Sequence, residues 1–64
     1  MNLVNYETNP NNQNESFLNM DLIESISKKD GNYKVWMIGD PEREYDISES
    51  AYNTILLYGK AKIQ

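Results

Sequence analysis

Apolar positions along this chain fall in short clusters that mostly alternate with polar ones, and one later run repeats at helical spacing. Residues 2–6, "NLVNY", read as a short opening strand. Residues 7–15, "ETNPNNQNE", hold no apolar side chain; asparagine favours turns and Pro10 breaks ladders, so a solvated loop or contact loop is expected. Residues 16–27, "SFLNMDLIESIS", carry two signals. Leu18, Leu22 and Ile26 recur at helical spacing with Asn19 placed to cap a short helix, whereas Leu22, Glu24 and Ile26 alternate with Ile23 and Ser25 as in a strand. The next residues favour a strand, bent near Asn19 to Asp21. "KKDGN" contains Asp30-Gly31, a hairpin signal because glycine accepts positive φ without steric cost.

The partner strand is "YKVWMI", residues 33–38. Alternation sends Tyr33, Val35 and Met37 to a core face and Lys34, Trp36 and Ile38 to the other. "GDPERE", residues 39–44, reads as a turn built on Gly39 and Pro41, followed by a strand "YDIS" with Tyr45 and Ile47 on one side. Ser48 is an N-cap, Glu49 suits a first helical turn, and "ESAYNTILLY" presents Ala51, Tyr52, Ile55, Leu56 and Tyr58 on an apolar face. Gly59 ends that helix, and "KAKIQ" is a tail whose lysines complement its C-terminus. The expected fold is α+β: a small curved antiparallel sheet of three to four strands with one C-terminal helix, in a single domain over residues 1–64. One ten-residue helix covers one face of such a sheet. Trp36 and Ile38 therefore call for a second cover, such as another chain.

Size sharpens that expectation. A domain of 64 residues buries only about 60% of the surface its unfolded chain exposes. Disulfides, metals or oligomerisation usually compensate. With no cysteine and no histidine, disulfides are excluded and a zinc or iron–sulfur site nearly so; a homo-oligomer without cofactor or metal is expected. The net charge of −4 argues against a direct grip on nucleic acid, and Asp30 interrupts the cluster of Lys28, Lys29 and Lys34. An acidic surface meets a basic partner, or simply keeps a small domain soluble. No run approaches the ~20 apolar residues of a membrane span, and no basic and apolar leader opens the chain, so no membrane partner is expected. The absence of cysteine fits a cytoplasmic location, and abundant Asn, Lys, Ile and Tyr are common in AT-rich bacterial and phage genomes.

Catalytic chemistry finds little support. Asp40, Glu42, Glu44 and Asp46 sit at a charged turn, where nothing moves a carboxyl towards neutral pKa, and "DPEREYD" lacks the order of a calcium loop. The serines have no histidine to activate them, and three glycines at 31, 39 and 59 form no phosphate loop. Core packing accounts for most aromatics, with Trp36 the one expected to reach a partner.

"FLNMDLIESI", followed by a hairpin and "YDISES", resembles the FlbD-like small flagellar proteins, which carry an "LN-x-DLIE-x-I" segment, a strand pair and a "V-x-ES" entry to a C-terminal helix. The matching residues are Leu18, Asn19, Asp21, Leu22, Ile23, Glu24 and Ile26, then Glu49 and Ser50, within residues 17–57. The resemblance implies a bent strand and a helix start and names no catalytic group. Where that family has a tight "LNG" turn this chain has its Asn-rich loop, and "GDPERE" replaces a plain "NG". The chain is also similar to many tiny uncharacterised proteins of bacteria and phages.

The expected function is non-catalytic: a regulator or inhibitor that binds another protein, for instance a phage-encoded inhibitor of a host enzyme or defence system acting in the host cytoplasm. Trp36 and Ile38 would supply apolar anchoring, and Asp40, Glu42, Arg43 and Glu44 charge complementarity. Two alternatives stay open: an oligomeric binder of a small ligand such as a nucleotide signal, and a flagellar or structural accessory protein.

Overall fold

The computed structural model describes residues 2–6 and 16–64, so the Asn-rich segment 7–15 lies outside the described residues. The architecture is α+β. Strands β1 (Leu3–Asn5) and β2 (Phe17–Asn19) form a two-stranded antiparallel sheet. Strands β3 (Ile23–Lys29), β4 (Asn32–Met37), β5 (Asp40–Ile47) and β6 (Lys62–Ile63) form a four-stranded sheet in the order β5-β4-β3-β6. Helix α1 (Glu49–Tyr58) packs against β1 and β4.

The single curved sheet expected from the sequence is divided in two, and the division falls inside residues 16–27. Met20–Leu22 form one 3-10 turn, and the Asn19 side-chain oxygen accepts the Asp21 N–H at 2.9 Å. Both readings of that segment thus hold in part: two strands flank a capped turn. Below the break, Val4, Leu18 and Met20 are buried; above it, Ile23, Ile26, Val35 and Ile47 are buried, and Ala51, Tyr52 and Ile55 of α1 complete one core.

A one-residue bulge places β3. Ile23 pairs with Met37 and Ser25 with Trp36, so Glu24 is extra on its strand. The bulge turns Ile23 and Ile26, three residues apart, to the same core, where Ile26 is fully buried. The hairpin forms at Asp30-Gly31, whose φ values of 52° and 78° match the double left-handed geometry that twisted strands favour. Ser48 Oγ accepts the Ala51 N–H at 3.1 Å and caps α1. Gly59, at φ 82°, closes the helix by donating its N–H to the Ile55 carbonyl.

Three expectations are corrected. The turn placed at residues 39–44 is only Ile38-Gly39, and Asp40 already begins β5. Leu56, expected in the helix's buried face, is 41% exposed because Ala51, Tyr52 and Ile55 already fill the contact stripe. The tail 60–64 is not free: Lys62 and Ile63 pair in parallel with Ser25 and Ile26, and Gln64 N–H donates to the Ile26 carbonyl at 2.8 Å.

A polar cluster ties the N-terminal strand to the helix end. The Asp21 carboxylate accepts the Tyr58 hydroxyl, the Lys60 ammonium at 3.2 Å and the Asn2 amide at 3.4 Å, while Asn2 also donates to the Tyr58 oxygen at 2.7 Å. The hydrogen bond from Tyr58, then that from Lys60, holds the Asp21 carboxyl below its ordinary pKa. Reciprocally, the bond to Asp21 raises the pKa of Tyr58 and of Lys60.

Both the core and the polar cluster can be probed by substitution. Ile26→Ala should cost about 2–5 kcal/mol, against about 3–10 kcal/mol in total for a chain this short, and urea denaturation should show a midpoint lowered by a large share of its wild-type value. For Asp21 the folded pKa is depressed, so its contribution is complete above the ordinary carboxyl range and is lost as pH falls through the folded value. The difference in urea midpoint between wild type and Asp21→Asn should therefore shrink from pH 7 to pH 2; a constant difference would show that the charge of Asp21 contributes nothing.

Candidate functional site

Because α1 lies on one side of the sheet, the period-two alternation of β3 and β4 leaves Ser25, Ser27, Lys34 and Trp36 on the opposite face. Trp36 is half-buried there, with a hollow on each side. One, of about 280 Å³, is lined by Ser27, Lys29, Asp30, Asn32, Lys34 and Glu44 together with Trp36. The other, of about 250 Å³, is lined by Glu24, Ser25, Pro41 and Gln64 together with Trp36. The indole is the wall the two share.

The shape of this region comes from β5. Tyr45 pairs with Val35 and Asp40 with Met37, so Pro41, Glu42, Arg43 and Glu44 lie opposite the single residue Trp36. Such an insertion cannot stay in the ladder, and it bows around the indole, Pro41 lining one hollow and Glu44 the other. Proline suits the position because β5 is an edge strand and its missing N–H breaks no ladder bond.

Charges on this face are partly spent on one another. The Lys34 ammonium donates to the Asp46 carboxylate and lies 3.7 Å from Glu44. The hydrogen bond to Asp46 is the main cause that raises the Lys34 pKa. Arg43 is directed elsewhere: it stacks over Tyr45, the register partner of buried Val35, its guanidinium carbon 4.5 Å from the ring centroid, and Tyr6 meets the same Tyr45 edge-on at 6.0 Å on the core side. Ser25, 4% exposed, accepts the Gln64 side-chain amide at 3.1 Å, which joins the tail to the second hollow.

The residues singled out in the sequence are only partly assembled. Trp36 stands on the open face. Ile38 does not stand beside it: it occupies the two-residue turn, 58% exposed, and its N–H donates to the Leu22 carbonyl at the sheet's end. Asp40 opens β5, Glu42 and Arg43 lie in the bulge, and Glu44 reaches the hollow beside Lys34. Sequence reasoning missed Glu24, Ser25, Ser27, Pro41 and Gln64. The serines fall into place from the strand alternation once the Glu24 bulge is known, whereas nothing in the sequence announces Gln64. Among the described residues, no three His, Cys, Asp or Glu side chains converge to hold a metal, and no helix is long and apolar enough to cross a membrane.

Deleting Pro41, Glu42 and Arg43 would bring Glu44 opposite Trp36 and restore a plain ladder. The shortened chain is expected to keep its far-UV circular dichroism while acrylamide quenches Trp36 more strongly; unchanged quenching would show that the bulge does not shield the indole.

Comparison of the chain with protein-family models, curated proteins and solved structures finds no match. The face around Trp36 is therefore what carries a functional reading.

Proposed function

We propose that this chain is a non-catalytic protein-binding module, a regulator or inhibitor of another protein, whose contact surface is the uncovered sheet face centred on Trp36. The observation that carries the reading is the half-buried indole between two hollows, on the face turned away from α1. An aromatic anchor within a polar, charged rim is the usual anatomy of a protein interface, and tryptophan is among the residues that most often dominate its energy. Glu44, which lines one hollow beside Lys34, supplies part of that rim, and Glu42 and Arg43 in the same bulge flank it.

The proposed module is also a homo-oligomer. Leu3 and Phe17, each about half exposed, share the outward side of the two-stranded sheet, and Leu57 of α1 is 88% exposed. These side chains give a second copy apolar surface away from Trp36. Composition and size fit a phage-encoded inhibitor working in a host cytoplasm. A small-ligand role is less well supported, because each hollow is open and smaller than the roughly 300–1,000 Å³ of ordinary ligand pockets.

Native mass spectrometry of protein purified gently from its expressing cells tests the proposal. Wild type should retain a partner protein. Trp36→Ala should weaken that association by about 30-fold or more, the loss of a hot-spot residue of about 2 kcal/mol, with helix content unchanged. A variant that keeps its partner at wild-type affinity would sink the proposal.

A further inference from the structure

We infer that the Trp36 face seats an arginine side chain carried by a basic partner protein, its guanidinium stacked on the indole and its charge met by Glu24. This arginine seat rests on the protein-binding reading and specifies the chemistry of the partner.

The chain's own cations already sit over aromatic rings. Lys28 lies over Tyr33 at 5.7 Å, Arg43 over Tyr45 at 4.5 Å and Lys60 over Tyr58 at 5.5 Å from the ring centroids. Trp36 has the ring that attracts cations most strongly, and among the described residues no cation stands over it. Instead its side chain lines two open hollows.

Charge points the same way. In the hollow with Pro41, Ser25 and Gln64, Glu24 carries the only charged side chain of the lining, and no ion pair engages it among the described residues. In the other hollow, Lys34 is already held by Asp46 and Glu44. A cation entering beside Glu24 thus meets an unspent carboxylate and the indole together. Beyond the hollows, Asp40 and Glu42 on the edge strand and the net charge of −4 attract a basic surface from a distance. Arginine fits better than lysine, because a planar guanidinium stacks on a flat ring while offering its edge to a carboxylate.

Trp36 is the only tryptophan, so its emission reports the event directly. The probe is an acetylated, amidated peptide of alternating arginine and glycine, with a control in which citrulline, isosteric and neutral, replaces arginine. The arginine peptide should change Trp36 emission saturably at low salt, and less so in about 0.5 M NaCl, where screening is short-ranged. The citrulline peptide should leave it unchanged, and Glu24→Gln should weaken binding by about two- to fivefold. With fluorescently labelled arginine peptide, anisotropy should show weaker binding to Trp36→Phe and weaker still to Trp36→Leu. Flat emission, an equal response to citrulline, or indifference to Glu24→Gln overturns the arginine seat. If partner association is still lost in Trp36→Ala, only this inference falls; if association is indifferent to Trp36, the underlying reading falls with it.

Discussion

Ile26, Val35 and Ile55 are the largest fully buried side chains, and they join β3, β4 and α1 in one core. A helix of ten residues can cover one side of a sheet and no more. That limit decides the placement of everything else. Met20 and Leu18 bring the small sheet to the same core, and Tyr33 reaches α1 by packing its ring 5.0 Å from that of Tyr52. The far side of the four-stranded sheet is left to Ser25, Ser27, Lys34 and Trp36, and that remainder is the candidate site.

The site is shaped by irregularities of pairing rather than by a dedicated loop. At Glu24 one extra residue on β3 turns two isoleucines to the core and puts Ser25, itself buried, on the opposite face beside Trp36. At Pro41 to Glu44 a larger excess on β5 bows around Trp36. Bulges commonly re-aim side chains at sheet edges. Here they set the walls of both hollows.

The elements with local chemical causes were legible in the sequence. Asp30-Gly31, Ser48 and Gly59 act through their own backbone geometry and side chains, and the structure puts each where that chemistry requires. Trp36 was legible because Val35, its neighbour, is buried at 0% exposure and a strand alternates. Ile38 was misplaced because alternation holds only while the strand lasts, and the turn begins one residue sooner than the apolar run ends. The break at Met20–Leu22, the Glu24 bulge and β6 depend on what the distant chain offers as a partner. Two residues such as Lys62 and Ile63 carry no period at all.

The polar cluster at Asp21 has a consequence for the order in which the molecule assembles. Strands β3, β4 and β5 are consecutive and joined by short turns, so their pairing closes only small loops. The Asn2–Tyr58 bond joins residues 56 apart and the Gln64–Ser25 bond residues 39 apart. Loop closure over such distances is costly until other contacts hold the chain together. The central meander is thus the part of the fold that can form first, and both flanks latch onto it afterwards. Local opening is accordingly expected to begin at these long-range contacts of the two chain ends rather than in the short-loop meander.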